Sequence, residues 1–259
     1  MAERLLRVYG DIAYVPYSVE VDSQIIVLYD PTVHIRIDNP DPLVDPRWIA
    51  IKRPCVTVGG ELVPEMLDLR RDSDSGVYVA PLQMKANNGM LIIDDFGRQA
   101  ITPERLLNRW IVPLDRRVDY LTLQYGLKFE TPFELMVVFS TNLDPQQLAD
   151  EAFLRRIRNK VYLGPVSPEV FDEIFLRMAK SRGLDAGRTE SRHLQELVQE
   201  LGPGELRACY PRDMFDILIA ASTYQNKPPL VTREALEKAA KIYFTKKLSH
   251  EGYVGAKAR

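Results

Sequence analysis

Leu91, Ile92 and Ile93 form a wholly apolar run that stops abruptly at two adjacent carboxylates, Asp94 and Asp95. Such a run predicts a strand buried on both faces of a parallel sheet. In open α/β sheets ligands gather outside the carboxyl ends of the strands, which puts the acid pair at the rim of a candidate site. Two neighbouring carboxylates repel, and a bound divalent cation is the simplest compensation; a solvated Asp-Asp turn is the alternative. Further strands are predicted over residues 11–15, 25–29, 135–139 and 160–163, the last closed by Gly164-Pro165. Alternation on either side of Gly126 predicts a hairpin over residues 120–130. Residues 2–9, with Leu5, Leu6 and Val8, read as the tail of an amphipathic helix. The Pro/Asp-rich stretch around Pro40, Pro42 and Pro46 makes residues 22–53 an insertion of hairpin and loops. A short helix is entered at Pro64, and Thr102-Pro103-Glu104 starts a longer one that runs to about residue 114. From Ser167 onward only helical patterns remain, over residues 168–181, 190–201, 211–224 and 233–246. The pattern therefore predicts an α/β domain over residues 1–165, a small helical domain over 166–248 and a loose tail over 249–259.

Composition narrows the field. The chain has 259 residues, 46% of them apolar, enough for a full core. A formal net charge of −2 supplies no global field to recruit nucleic acid or a membrane. Cys55 and Cys209 stand far apart and in no metal-ligand spacing, which argues for a reducing compartment. His34, His193 and His250 are scattered singly and read as surface or packing residues. No apolar run reaches membrane-spanning length and no leader opens the sequence, so a cytoplasmic location is expected.

Four features fall in a set order along the chain. One apolar strand ends in Asp94-Asp95 and another in Thr141-Asn142; an arginine pair, Arg155 and Arg156, follows in DEAFLRRI; the helical domain carries Tyr210-Pro211-Arg212. Taken together they resemble the Walker B, sensor 1, arginine finger and sensor 2 motifs of the AAA+ ATPases. The hairpin over 120–130, and Arg98 three residues beyond the acid pair, make the chain similar to the MoxR-like branch. The resemblance spans about residues 1–245 and implies a parallel AAA+ sheet followed by a small all-α lid. It further implies that Asp94 holds Mg²⁺, Asp95 orients the attacking water, and Asn142 contacts that water or the γ-phosphate of ATP. Arg155 or Arg156 would reach a neighbouring subunit's site, a contribution typically worth about 10³ to 10⁵ in rate. Arg212 would sense the same phosphate from the lid. The implied assembly is a homo-oligomeric ring, a hexamer, that remodels a protein client.

Two departures qualify that picture. Glutamate is usual in the family where Asp95 stands, and aspartate is shorter by one methylene, roughly 1.5 Å of reach. The phosphate loop G-x-x-x-x-G-K-[ST] is absent from the sequence. The resemblance then implies a sheet lacking its P-loop strand, in a sequence that starts late, with strands 135–139 and 160–163 flanking the gap. Such an isolated chain is expected to be unstable, since buried unpaired peptide groups cost on the order of 1–3 kcal/mol each. The residues keep other readings open: Asn142 as a turn former before Asp144-Pro145, and the arginines as solvated helix faces. At the level of function the rivals are a non-catalytic AAA+ scaffold and a nucleic-acid motor. The second is poorly served by a hairpin whose only basic residue is Lys128. A metal hydrolase built on Asp94-Asp95 alone lacks neighbouring histidines to complete a coordination shell.

Overall fold

The computed structural model describes residues 11–38, 43–144, 148 and 154–244. The expected helix over 2–9, the tail over 249–259, and Pro40 and Pro42 lie outside them. The chain divides into two compact units, Met1–Lys160 and Val161–Arg259.

At the centre of the first unit, β5 (Cys55–Val58), β8 (Met90–Ile93) and β11 (Met136–Phe139) form a parallel sheet in the order β11-β8-β5. Met90, Leu91 and Ile93 are fully buried, as expected for a strand covered on both faces. The longest helix of the unit, α2 (Pro103–Arg116), starts at a Thr102 cap whose hydroxyl accepts the Arg105 N–H. It buries Leu106, Leu107 and Trp110 against Phe133, Leu135 and the sheet. Asn88, in the left-handed region at φ 59°, turns the chain into Gly89 and β8.

Among the described residues the unit carries three further sheets, two of two strands and one of four. Strands β1 (Ile12–Pro16) and β4 (Trp48–Lys52) pair antiparallel. Strands β2 (Ser18–Val21) and β3 (Gln24–Val27) form a hairpin extended by β7 (Tyr78–Val79) and β6 (Arg70–Arg71). Its two-residue turn, Asp22-Ser23, has positive φ at both positions, the mirror-image geometry that suits strand twist. The predicted hairpin is β9 (Val118–Thr122) with β10 (Lys128–Pro132), turned at Gly126 with φ 93°. A 3-10 turn at Pro64–Leu67 and a four-residue helix, α1 (Leu82–Lys85), complete the unit.

The second unit is helical: α3 (Pro168–Ser181), α4 (Arg188–Leu201), α5 (Tyr210–Tyr224) and α6 (Arg233–Tyr243). Ser167 and Thr232 cap α3 and α6, and Glu190 accepts the Gly187 N–H at the start of α4. Phe171, Phe175, Leu194, Met214, Phe215 and Leu236 fill its own core.

One expected strand is not formed. Residues 160–163 join no sheet, and Val161, Tyr162 and Leu163 are 74%, 89% and 79% exposed. Their β-branched and aromatic character marked a strand, but pairing requires a partner ladder, and none forms there among the described residues. β11 is accordingly the last strand on its side of the described sheet.

Candidate functional site

The ladder around β8 continues past the strand ends and fixes the acid pair. Asp94 N–H donates to the Val58 carbonyl at 2.8 Å, and Ser140 N–H donates to the Ile93 carbonyl at 2.9 Å. The chain then turns, and Phe96 N–H reaches the Ser140 carbonyl at 2.7 Å. Thr141 ties the turns together: its hydroxyl donates to the Phe96 carbonyl at 2.8 Å and accepts the Leu143 N–H at 3.1 Å. Gln99 closes the first turn from below. Its amide donates to the Asp94 and Asp95 carbonyls at 2.8 and 3.2 Å, and its oxygen accepts the Gly97 N–H at 2.8 Å. The segments following β8 and β11 therefore make one bonded rim at the carboxyl edge of the sheet.

Asp95 stands on that rim in the left-handed region, at φ 49°. Asp and Asn tolerate that conformation far better than other non-glycine residues. This gives a backbone reason for aspartate at position 95. Gly97, at φ 103°, completes the turn where a Cβ would lie 2.5 Å from Leu148 Cδ2. Asp94 and Asp95 are both exposed, and Asp94 Oδ1 accepts the Asp95 N–H at 3.1 Å. Asn142, also exposed, follows Thr141 in the segment just beyond β11, the strand next to β8, so the structure brings Asp94, Asp95 and Asn142 to the same edge. Arg98 is exposed on this turn, with its N–H bonded to the Asp95 carbonyl at 3.0 Å.

The arginine pair lies in the first unit and Arg212 in the second. Arg155 and Arg156, with Arg158, Leu114 and Asp115, line an open cleft of about 400 Å³. Arg156 Nε donates to Asp115 Oδ2 at 2.8 Å. Three guanidiniums against one carboxylate leave the lining net positive, suited to an anion. Neither Arg158 nor Asp115 was singled out from the sequence. The signals were present: a third arginine two residues on, and an acid in the last turn of a helix, where the dipole disfavours it. Arg212, on the first turn of α5, is 69% exposed and 3.7 Å from Asp216 Oδ2, while Arg182 takes the other Asp216 oxygen at 2.7 Å.

The donor set at the rim fits a hard divalent cation. Mg²⁺ is typically held by one or two carboxylates together with waters and phosphate oxygens, and Asp94 offers an exposed carboxylate at the strand end.

Against known proteins, Domain of unknown function (DUF8689) matches residues 167–242, which cover α3 to α6. No curated protein matches the chain. Among solved structures, NtrX from Brucella abortus is similar over 73% of this chain and 44% of its own, with 17% identity and a TM-score of 0.50. The Holliday junction branch migration motor RuvB of Thermotoga maritima is similar over 73% of this chain and 52% of its own, with 14% identity and a TM-score of 0.43. The chain thus spans less than half the length of NtrX. The likeness to NtrX is one of fold: a parallel β5-β8-β11 sheet followed in sequence by a helical unit.

Proposed function

We propose that the chain belongs to an AAA+ ATPase of MoxR-like type, a ring of identical subunits, six in number, that hydrolyses ATP to remodel a protein partner. The observation that carries this reading is the bonded rim, which sets Asp94, Asp95 and Asn142 together at the carboxyl edge of a parallel sheet. Water attack on a γ-phosphate needs positioning and charge stabilisation more than covalent chemistry; the rim residues would supply the first, and a bound cation with the arginines the second. Asp94 would hold a hydrated Mg²⁺, which neutralises charge on the phosphate oxygens when bound. Asp95 takes up the proton of the attacking water or aligns it, from a backbone held in the left-handed region. Asn142 orients the same water or a phosphate oxygen through its amide. Arg155 or Arg156 meets the transition-state charge in a neighbouring copy's site, and Arg212 adds a contact from the helical unit.

A second reading, a non-catalytic AAA+ scaffold, is favoured by one feature: the sequence contains no phosphate-cradling G-x-x-x-x-G-K-[ST] run. Calorimetric titration with Mg·ATP and a phosphate-release assay separate the two. On the ATPase reading Asp95→Asn lowers turnover by about 10² or more while binding stays close to that of the wild type. Unchanged turnover in Asp95→Asn removes that carboxylate from the mechanism. No ATP binding by the wild-type chain leaves the scaffold.

A further inference from the structure

Asp115 breaks a local rule. It lies in the last turn of α2, beside Arg116 and Arg117, where a negative charge opposes the helix dipole. A residue that a helix disfavours is expected where something else requires it. Here the requirement is visible: Asp115 Oδ2 receives Arg156 Nε at 2.8 Å in the cleft that Arg155 and Arg158 also line. The post that carries it is rigid. α2 is 14 residues, about 21 Å long, and Leu106, Leu107 and Trp110 anchor it in the core. The pair itself is partly exposed, 26% for the arginine side chain and 45% for the aspartate, so it adds little to folding. It does fix one face of the guanidinium through Nε.

We propose that Asp115 is a positioning residue: it holds Arg156 so that the arginines of this cleft meet the phosphoryl oxygens of a nucleotide bound by a neighbouring copy. This rests on the ATPase reading and adds to it the group that aims the arginines. Loss of the charge at Asp115 then alters turnover without altering nucleotide affinity.

The test compares Asp115→Asn and Asp115→Glu with the wild-type chain in three measurements. The first is the rate at which phenylglyoxal labels Arg156, mapped by peptide mass. Asp115→Asn speeds labelling several-fold, and Asp115→Glu returns it toward the wild-type rate. The second is steady-state ATP hydrolysis, with the unfolding midpoint recorded alongside. Asp115→Asn lowers kcat about tenfold or more with KM nearly unchanged, because a misplaced group costs rate rather than binding. Its unfolding midpoint moves by no more than about 2 °C, as befits an exposed pair. The third mixes Asp115→Asn with Asp95→Asn subunits. The first keeps working acids and the second working arginines, so the mixture exceeds either alone. Unchanged labelling and kcat in Asp115→Asn, with normal wild-type turnover, overturn the assignment of Asp115 alone. Mixtures no better than their components overturn its action in trans. A wild-type chain without turnover overturns the ATPase reading itself.

Discussion

Lys85 is only 9% exposed, and its charge is tolerated there because Nζ lies 2.7 Å from Asp30 Oδ2. Burial by itself would raise the Asp30 carboxyl, but hydrogen bonds from Lys85 and Thr32 bring it down to about 2. His34 completes the cluster as a neutral ring. Nε2–H donates to the Lys85 carbonyl at 2.8 Å and Nδ1 accepts the Asp30 N–H at 3.1 Å, while burial holds the imidazole below its usual 6.5. Both shifts point the same way for stability. The unfolded chain binds a proton at His34 more readily than the folded one, so stability declines as pH falls below about 6.5. Asp30, depressed in the folded state, adds stability that is present above its ordinary 3.8 and lost as pH falls toward about 2. Urea midpoints measured from pH 8 to pH 2 are expected to drop in two stages, and Lys85→Met should shrink the second, which Asp30 shares with other depressed carboxylates such as Asp45 and Asp72. Little of this was legible beforehand. His34 read as a packing residue, which it is, but its partners are 4 and 51 residues away, and local pattern is silent on such pairs. Asp95 is a further case. The sequence offers no sign of its left-handed backbone, a conformation that aspartate tolerates well.

At the scale of elements, the hairpin β9–β10 is fastened to α2 by one buried carboxylate. Asp119, 1% exposed, accepts both terminal nitrogens of Arg109 at 2.6 and 3.1 Å, the Gln83 amide at 2.9 Å and the Tyr120 N–H at 2.8 Å. Removing one partner of such a pair strands the other charge, so Asp119→Ala is expected to cost about 3 kcal/mol or more in urea unfolding. Gly89 matters for a different reason: a Cβ there would sit 2.1 Å from the Pro54 carbonyl, in the gap across which β8 pairs with β5. Helices α2, α3 and α6 were legible because each joins a cap to a 3.6-residue apolar stripe, as Thr102, Ser167 and Thr232 show. Strands β8 and β11 were legible from their continuous apolar runs. Strand β5 was not: Cys55-Val56-Thr57-Val58 is short and mixed, and only its pairing with β8 makes it a strand. Residues 160–163 failed in the reverse sense, carrying strand chemistry without a ladder.

At the scale of the whole molecule, the order of the motifs was readable because it depends on the sequence alone. The pairing of Arg156 with Asp115 was not, since the two are brought together only by the fold. The two units each enclose a separate apolar core. The second unit opens in sequence with Val161-Tyr162-Leu163, an aromatic and aliphatic tripeptide exposed to solvent. A protease selective for large apolar side chains meets its preferred bond there before any in the two interiors. Brief chymotrypsin treatment of the native chain is expected to nick after Tyr162 or Leu163 and yield two resistant fragments. Mass spectrometry would locate the cut, and first cleavage within either core would contradict the expectation.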